Sequence, residues 1–191
     1  MTDAPLQKRY IDAQELLEDS LQLAINIYNS GYRPRLIIGI WRGGTPVGIA
    51  VQEYFEYRGV STDHIAIRTA SYTGINRQSE TIQVHGLYYV VEHTIHDDEL
   101  LLVDDVFDTG RSMEAVIKTL NEMTGRDCRE RVRIACPWYK PGNNKTKLVP
   151  DYYLHETDDW LVFPHELAGL TREEIAEGKP ALAQILKKGE Q

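Results

Sequence analysis

The sequence predicts an α/β fold with a mostly parallel, twisted sheet and flanking helices. Aliphatic runs with little polar interruption are typical of strands that are buried on both faces, as in parallel sheets. Runs of this kind occur at residues 35–40 and 100–103, and short strand patterns with more polar residues occur at 63–68 and 131–136. The two aliphatic runs end in glycine-containing polar loops, and helical spacing of apolar residues follows each loop. This alternation of strand, loop and helix predicts the α/β class.

The helices are predicted from apolar residues that recur every three or four positions. Residues 12–29 and 47–57 are the first two such segments. A third begins after Ser112, and its apolar side carries Met113, Val116, Ile117 and Leu120. A last helix is predicted over residues 171–186, with an interruption at residues 178–180, where glycine and proline disfavour a continuous helix.

Length and composition limit the function classes. A chain of 191 residues suits one well-buried domain, so we expect residues 1–191 to form a single domain. The net charge of −8 disfavours a nucleic-acid surface, which needs clustered lysine and arginine. The sequence has no apolar run of membrane-spanning length, and residues 1–5 lack the basic-then-apolar order of a signal peptide, so we expect a cytoplasmic protein with no membrane partner.

The loop after the aliphatic run at residues 100–103 predicts a site for a phosphorylated sugar. Thr109, Gly110 and Ser112 can offer backbone N–H groups and hydroxyls at the positive end of a helix, which favours a phosphate. Asp104 and Asp105 would repel a phosphate but can accept hydrogen bonds from sugar hydroxyls. The alternative is a strand-to-helix turn in which aspartate and serine act only as caps.

Residues 101–112, Leu-Leu-Val-Asp-Asp-Val-Phe-Asp-Thr-Gly-Arg-Ser, resemble the phosphoribosyl pyrophosphate (PRPP) binding motif of the type I phosphoribosyltransferases. The resemblance implies the fold of that family. It also implies that PRPP is bound by the residues of this motif: Asp104, Asp105, Asp108, Thr109, Gly110, Arg111 and Ser112.

A second loop follows the run at residues 35–40. Its sequence is Trp-Arg-Gly-Gly-Thr-Pro, and the backbone N–H groups around Gly43 and Gly44, together with the Arg42 guanidinium, could bind a pyrophosphate leaving group. Two adjacent glycines are equally suited to an ordinary turn. A basic residue followed by Gly-Gly is similar to the pyrophosphate loop of the purine phosphoribosyltransferases, and that similarity implies a cis peptide bond between Trp41 and Arg42.

Residues 69–80 are polar, lack periodicity and are long for a connection, so they are predicted to form a lid over the reacting centre or a simple exposed loop. Ser71 and Tyr72 resemble the Ser-Tyr pair in the catalytic loop of hypoxanthine-guanine enzymes, which implies a catalytic role. Residues 81–91 are predicted to form a hairpin or two edge strands around His85 and Gly86.

The last third of the chain resembles the purine-binding part of the xanthine-guanine phosphoribosyltransferases. The resemblance implies that residues 137–170 form a small base-binding hood, in which Lys140 donates to the purine 6-oxo group and Trp160 stacks on the ring. The Leu161 backbone would contact the pyrimidine edge. Glu166 is a candidate metal ligand, although magnesium is expected to be held mainly by PRPP and water.

Together these resemblances imply a purine-salvage enzyme closest to the 6-oxopurine phosphoribosyltransferases. It would move the phosphoribosyl group from PRPP to hypoxanthine, guanine or xanthine with Mg²⁺ as cofactor, and Asp108 would act as the general base or only cap the loop. Relatives form oligomers, so a homodimer or homotetramer is expected. The alternative is a regulator of the same fold that binds PRPP or a nucleotide without turnover.

Overall fold

The computed structural model describes residues 8–73, 80–95 and 97–189. Its contacts group into two units, one of residues 17–158 and the other of residues 8–16 and 159–189. None of the helices in these ranges is long and apolar enough to cross a membrane. The α-helices are α1 (Ala13–Asn29), α2 (Gly44–Tyr57), α3 (Leu87–His93), α4 (Arg111–Thr124), α5 (Arg172–Gly178) and α6 (Pro180–Gly189).

The strands form three sheets. In chain order they are β1 (Lys8–Tyr10), β2 (Leu36–Trp41), β3 (Asp63–Thr73), β4 (Glu80–His85), β5 (Leu100–Val103), β6 (Val106–Phe107), β7 (Val132–Ala135), β8 (Trp138–Tyr139), β9 (His155–Glu156) and β10 (Trp160–Val162). The main sheet has the order β4-β3-β2-β5-β7. Its pairings are parallel except for the antiparallel β3–β4 pair. The α/β class and the mostly parallel sheet are therefore confirmed.

Strands β2 and β5 lie at the centre of the main sheet because both are aliphatic on both faces. All four residues of β5 are buried, as are the first five of β2. Helix α4 covers one face with the four apolar residues that its spacing predicted, Met113, Val116, Ile117 and Leu120. On the other face, α2 packs closely on β2, since a β-carbon on Gly39 would lie 3.1 Å from the Gly44 carbonyl oxygen. Both loops predicted to bind ligand therefore leave the middle of the sheet.

A second, smaller sheet in the same unit has the order β6-β8-β9, with parallel pairings. The pairing of β6 with β8 places Phe107 opposite Tyr139, and the Lys140 N–H donates to the Phe107 carbonyl at 2.9 Å. The rings of Phe107 and Tyr139 pack edge to face, with centroids 5.5 Å apart. This sheet therefore fixes the residue after β6, Asp108, next to the residue after β8, Lys140.

The unit of residues 8–16 and 159–189 contains the parallel pair β1–β10 and the helices α5 and α6. The Lys179 side chain is buried and donates to the carbonyl oxygens of Phe163, Pro164 and Glu166. A buried ammonium is stabilised only when acceptors surround it, and these carbonyls supply them. Lys179 separates α5 from α6, so the predicted interruption at residues 178–180 is confirmed.

Two sequence predictions about the β3–α3 region were wrong. Strand β3 continues to Thr73 and pairs with β4, so residues 69–73 and 80 are strand rather than loop, whereas residues 74–79 of the predicted lid lie outside the described part of the chain. Residues 87–93 form helix α3 and not the second strand of a hairpin. Gly86 begins that helix with φ +99°, and Leu87 and Val90, three residues apart, are its buried contacts.

Candidate functional site

The two predicted ligand loops meet at the carboxyl ends of β2 and β5. These strands are neighbours in parallel register, with Gly39 opposite Val103. The loop after β2 carries Arg42, which is exposed, and the buried Gly43 and Gly44. The Trp41–Arg42 peptide bond is cis, as predicted. Ligands of open α/β sheets bind outside the carboxyl ends of strands, and this edge is therefore the candidate site.

Glycine at positions 43 and 44 allows the two loops to touch. A β-carbon on Gly43 would overlap the Asp105 carboxyl group, and one on Gly44 would overlap the Val103 carbonyl oxygen. The Asp104 carboxyl group accepts the Asp105 N–H at 3.0 Å and also accepts the Gly44 N–H. The predicted pyrophosphate loop and the predicted ribose carboxylates are therefore one contiguous structure.

The two carboxyl groups differ in exposure. Asp105 is only 7% exposed and lies beneath Gly43, whereas Asp104 is partly exposed. Burial of its carboxyl group raises the pKa of Asp104 well above the ordinary value, and the adjacent Asp105 carboxylate raises it further. A hydrogen bond joins the two side chains. Asp104 is thus the more exposed residue of the pair as a whole, while its buried carboxyl group favours the protonated form.

The loop before α4 encloses a cavity of about 210 Å³. The residues that line it are Asp104, Val106, Phe107, Asp108, Thr109, Gly110, Ser112 and Met113. Gly110 precedes α4 with φ +76°, and a β-carbon there would lie 2.5 Å from Thr146 Oγ1 and 2.7 Å from the Phe107 ring. The first N–H groups of a helix have no intrahelical partner and carry positive partial charge, so an anion is favoured at the end of this cavity.

Asp108 and Lys140 lie side by side next to this cavity. Lys140 is buried, and its Nζ is 3.9 Å from Asp108 Oδ2. The other carboxylate oxygen, Asp108 Oδ1, is buried and has no hydrogen-bond partner among the described residues. The pair therefore presents a cationic donor and a carboxylate acceptor close together, and a buried acceptor without a partner is expected to be satisfied by a bound molecule.

Sequence reasoning did not single out a turn beside the Gly110 loop. This turn, residues 144–147, has the sequence Asn-Lys-Thr-Lys. The Lys145 N–H donates to the Thr109 carbonyl oxygen at 3.0 Å, so the turn is attached directly to the loop. A polar run of this composition is typical of any exposed connection, and no sequence signal placed it at the site.

The remaining predicted residues are not joined to this group by the described contacts. Ser71 and Tyr72 lie in β3, where their backbones pair with Ile82 and Thr81, but their side chains lie outside the described part of the chain. The predicted lid role of this pair stays a prediction.

Trp160, Leu161 and Glu166 belong to the other unit, where Trp160 and Leu161 are residues of β10. Trp160 is 53% exposed, with Lys8 Nζ 5.8 Å from its ring centroid, and Leu161 is buried. Glu166 Oε2 accepts the Phe163 N–H at 3.0 Å. Their predicted base-binding and metal-binding roles stay predictions.

The profile of the phosphoribosyl transferase domain matches residues 7–168 of the chain. The chain belongs to this family. The match includes both loops at the sheet edge, Lys140 and the 144–147 turn. The geometry described above is therefore that of a phosphoribosyl transferase domain, and the resemblance seen in residues 101–112 is confirmed at the level of the family.

Individual relatives agree with this assignment to the phosphoribosyl transferase family. A hypoxanthine-guanine phosphoribosyltransferase of Lactococcus lactis is 26% identical over 152 residues, which cover 78% of this chain and 76% of the relative. The crystal structure of a purine phosphoribosyltransferase from Pyrococcus horikoshii is 28% identical with a TM-score of 0.65, covering 86% of this chain and 97% of that one. A Neisseria gonorrhoeae protein solved with bound ppGpp has a TM-score of 0.73 at 22% identity, covering 95% and 98% of the two chains, and shares the fold.

Replacement of Gly110 tests how tightly the loop is packed. The Gly110→Ala variant should lose about 1 kcal/mol from its positive φ and about 1–3 kcal/mol more from contact with Phe107 and Thr146. Gly125→Ala is the matched control, because Gly125 has φ +68° at the other end of α4 and no atom of the described residues lies within 4 Å of its β-carbon position. Urea unfolding should show a larger loss of stability for Gly110→Ala. Equal losses would contradict the packing of this loop.

The raised pKa of Asp104 predicts a pH dependence of stability. The folded protein binds this proton more tightly than the unfolded chain, so stability should fall as pH rises above the ordinary aspartate value toward the raised one. Asp104→Asn removes the charge and should unfold at a higher urea concentration than the wild type at pH 8, with a smaller difference at pH 5. Asp127→Asn is the control, because Asp127 is exposed and its contact with the Arg129 N–H needs only one side-chain oxygen. A difference between Asp104→Asn and wild type that is independent of pH would contradict the prediction.

Proposed function

We propose that the protein transfers the 5-phosphoribosyl group of PRPP to a ring nitrogen of a 6-oxopurine and releases pyrophosphate. Support for the transferase part comes from family membership and from the contact between the 42–44 loop and the Asp104–Asp105 pair. In this arrangement the 5′-phosphate binds at the start of α4, the ribose hydroxyls bind Asp104, and pyrophosphate binds the backbone of Gly43 and Gly44 with Arg42.

The observation that carries the choice of base is the pair formed by Asp108 and Lys140. The purine 6-oxo group and N7 are adjacent on one edge of the ring. Lys140 Nζ, 3.9 Å from the Asp108 carboxylate, can donate to the 6-oxo oxygen while Asp108 Oδ1 accepts from a protonated N7. An adenine base presents a 6-amino donor at the same place, and a lysine has no acceptor for it. The pair therefore favours hypoxanthine, guanine and xanthine over adenine.

Catalysis in this proposal depends on position and charge. Bond breaking at ribose C1′ develops positive charge on the sugar and negative charge on pyrophosphate, and fixed groups on both sides lower the barrier. The Asp104 carboxyl group lies beneath the sugar, the backbone around Gly43 and the Arg42 guanidinium face the leaving group, and Asp108 takes the proton that N7 loses. Closure over the centre is assigned to the segment that contains Ser71 and Tyr72.

Magnesium is the proposed cofactor, and the oxygen donors present fit it. Mg²⁺ is usually held by one or two carboxylates together with substrate phosphates and water. Within residues 8–73, 80–95 and 97–189, no group of three or more His, Cys, Asp or Glu side chains could hold a metal ion. Asp104 is the carboxylate that would approach a magnesium ion carried in by PRPP, whereas Glu166 belongs to the other unit and its metal-binding role stays a prediction. Bound magnesium would neutralise charge on the leaving group.

A panel of bases tests this proposal directly. The protein is incubated with PRPP, Mg²⁺ and one of hypoxanthine, guanine, xanthine, adenine, uracil or orotate, and pyrophosphate release is measured. We expect release with at least one 6-oxopurine and little with the other bases. Release with adenine alone would contradict the role of Lys140. PRPP binding without release for any base would support the regulator instead.

Asp108→Asn tests the proton acceptor. The amide keeps the size of the side chain but cannot take a proton from N7, so kcat should fall by about two orders of magnitude, with a much smaller change in KM for PRPP. Asp127→Asn serves as the matched control. A kcat near that of the wild type would assign Asp108 to loop capping.

Light scattering of the same samples gives the oligomeric state, for which a dimer or tetramer is expected.

A further inference from the structure

The 144–147 turn is rigid enough to position a side chain. Asn144 Oδ1 accepts the Thr146 N–H at 2.9 Å and the Thr146 hydroxyl at 3.0 Å. Asn144 Nδ2 donates to the Leu148 carbonyl oxygen at 2.8 Å, and the Leu148 N–H donates to Thr146 Oγ1 at 3.2 Å. These bonds close the turn on itself, so its conformation does not depend on a bound molecule.

The same turn is fixed against the loop that precedes α4. The Lys145 N–H bonds the Thr109 carbonyl oxygen at 3.0 Å, and Thr146 Oγ1 lies 2.5 Å from the β-carbon position of Gly110. Thr109 and Gly110 line the 210 Å³ cavity at the start of the helix. The backbone of Lys145 is therefore one hydrogen bond away from the predicted phosphate loop.

Charge around this cavity makes a nearby lysine significant. Asp104 and Asp108 are among the residues that line the cavity, Lys140 Nζ lies 3.9 Å from the Asp108 carboxylate, and the whole chain carries a net charge of −8. A phosphate is repelled by this surrounding charge and needs cations close to it. Lys145 is exposed and has no carboxylate partner among the described residues. Its ammonium group therefore forms no ion pair with this part of the chain.

We infer that Lys145 is a binding residue for the 5′-phosphate of the substrate, acting together with the backbone N–H groups at the start of α4. The inference rests on the proposed function, because it assigns a further contact to the same ligand. It places a cation on a segment outside the 101–112 motif. Lys145 thereby adds a positive charge beside the phosphate loop of a chain whose net charge is −8.

The experiment measures binding of ribose 5-phosphate and of pyrophosphate by calorimetry to wild type, Lys145→Gln, Lys145→Arg and Lys118→Gln. Loss of one charge-assisted hydrogen bond should weaken ribose 5-phosphate binding about tenfold in Lys145→Gln, while pyrophosphate binding changes less than about twofold. Lys145→Arg keeps the charge and should recover most of the affinity. Lys118→Gln, on the exposed side of α4, is the control for net charge.

Three results would overturn the inference: equal ribose 5-phosphate affinity in Lys145→Gln and wild type, equal weakening of both ligands, or no ribose 5-phosphate binding by the wild type. Urea unfolding of each variant verifies that it is folded. The base panel with the wild type decides the proposed function separately. If the wild type turns over a 6-oxopurine and Lys145→Gln binds ribose 5-phosphate as tightly as the wild type, only the role of Lys145 is refuted. If the variants show the expected binding pattern but the wild type shows no turnover, only the transfer reaction is refuted.

Discussion

The site depends on the close contact between the Gly43–Gly44 backbone and the Asp104–Asp105 pair. It is possible because β2 and β5 are parallel neighbours whose chains leave the sheet at the same edge. Any side chain at position 43 would occupy the volume of the Asp105 carboxyl group, and one at position 44 would meet the Val103 carbonyl. Glycine is required at positions 43 and 44 because the two loops leave no room for a side chain. A positive φ is not the reason, since neither residue has one.

This contact also explains why an acidic pair can be kept at a dry sheet edge. Two adjacent carboxyl groups repel each other when both are ionised, and burial adds a desolvation cost. The Gly44 and Asp105 N–H groups donate to Asp104 and offset part of that cost, while the raised pKa of Asp104 shows that the offset is incomplete. A polar ligand that donates to Asp104 would offset more of that cost. Groups that destabilise the free protein in this way are common at functional sites.

The sequence allowed the main sheet and the loops at its centre to be predicted because their signals are local. An uninterrupted aliphatic strand such as β5 has few alternative structures, and the four apolar residues of α4 repeat at helical spacing. Helix α3 was missed because seven residues give too few repeats for its period to stand out beside a strand-like composition. The 144–147 turn was missed for a different reason. It contacts Gly110 only through the tertiary fold, because the two segments are about 35 positions apart in sequence.

The small β6-β8-β9 sheet connects the proposed base contacts with the proposed phosphate contacts. Phe107 pairs with Tyr139, so the residues that follow, Asp108 and Lys140, are set at a fixed separation. The same two strand ends lead into the Gly110 loop and the 144–147 turn, which are themselves joined by the Lys145–Thr109 hydrogen bond. A shift of register in this pairing would move the proposed base contacts and the proposed phosphate contacts together. The β6–β8 pairing that shapes the phosphate cavity would therefore also determine base selection. No second folded element within residues 17–158 is needed for the proposed contacts of Asp108 and Lys140 to the base.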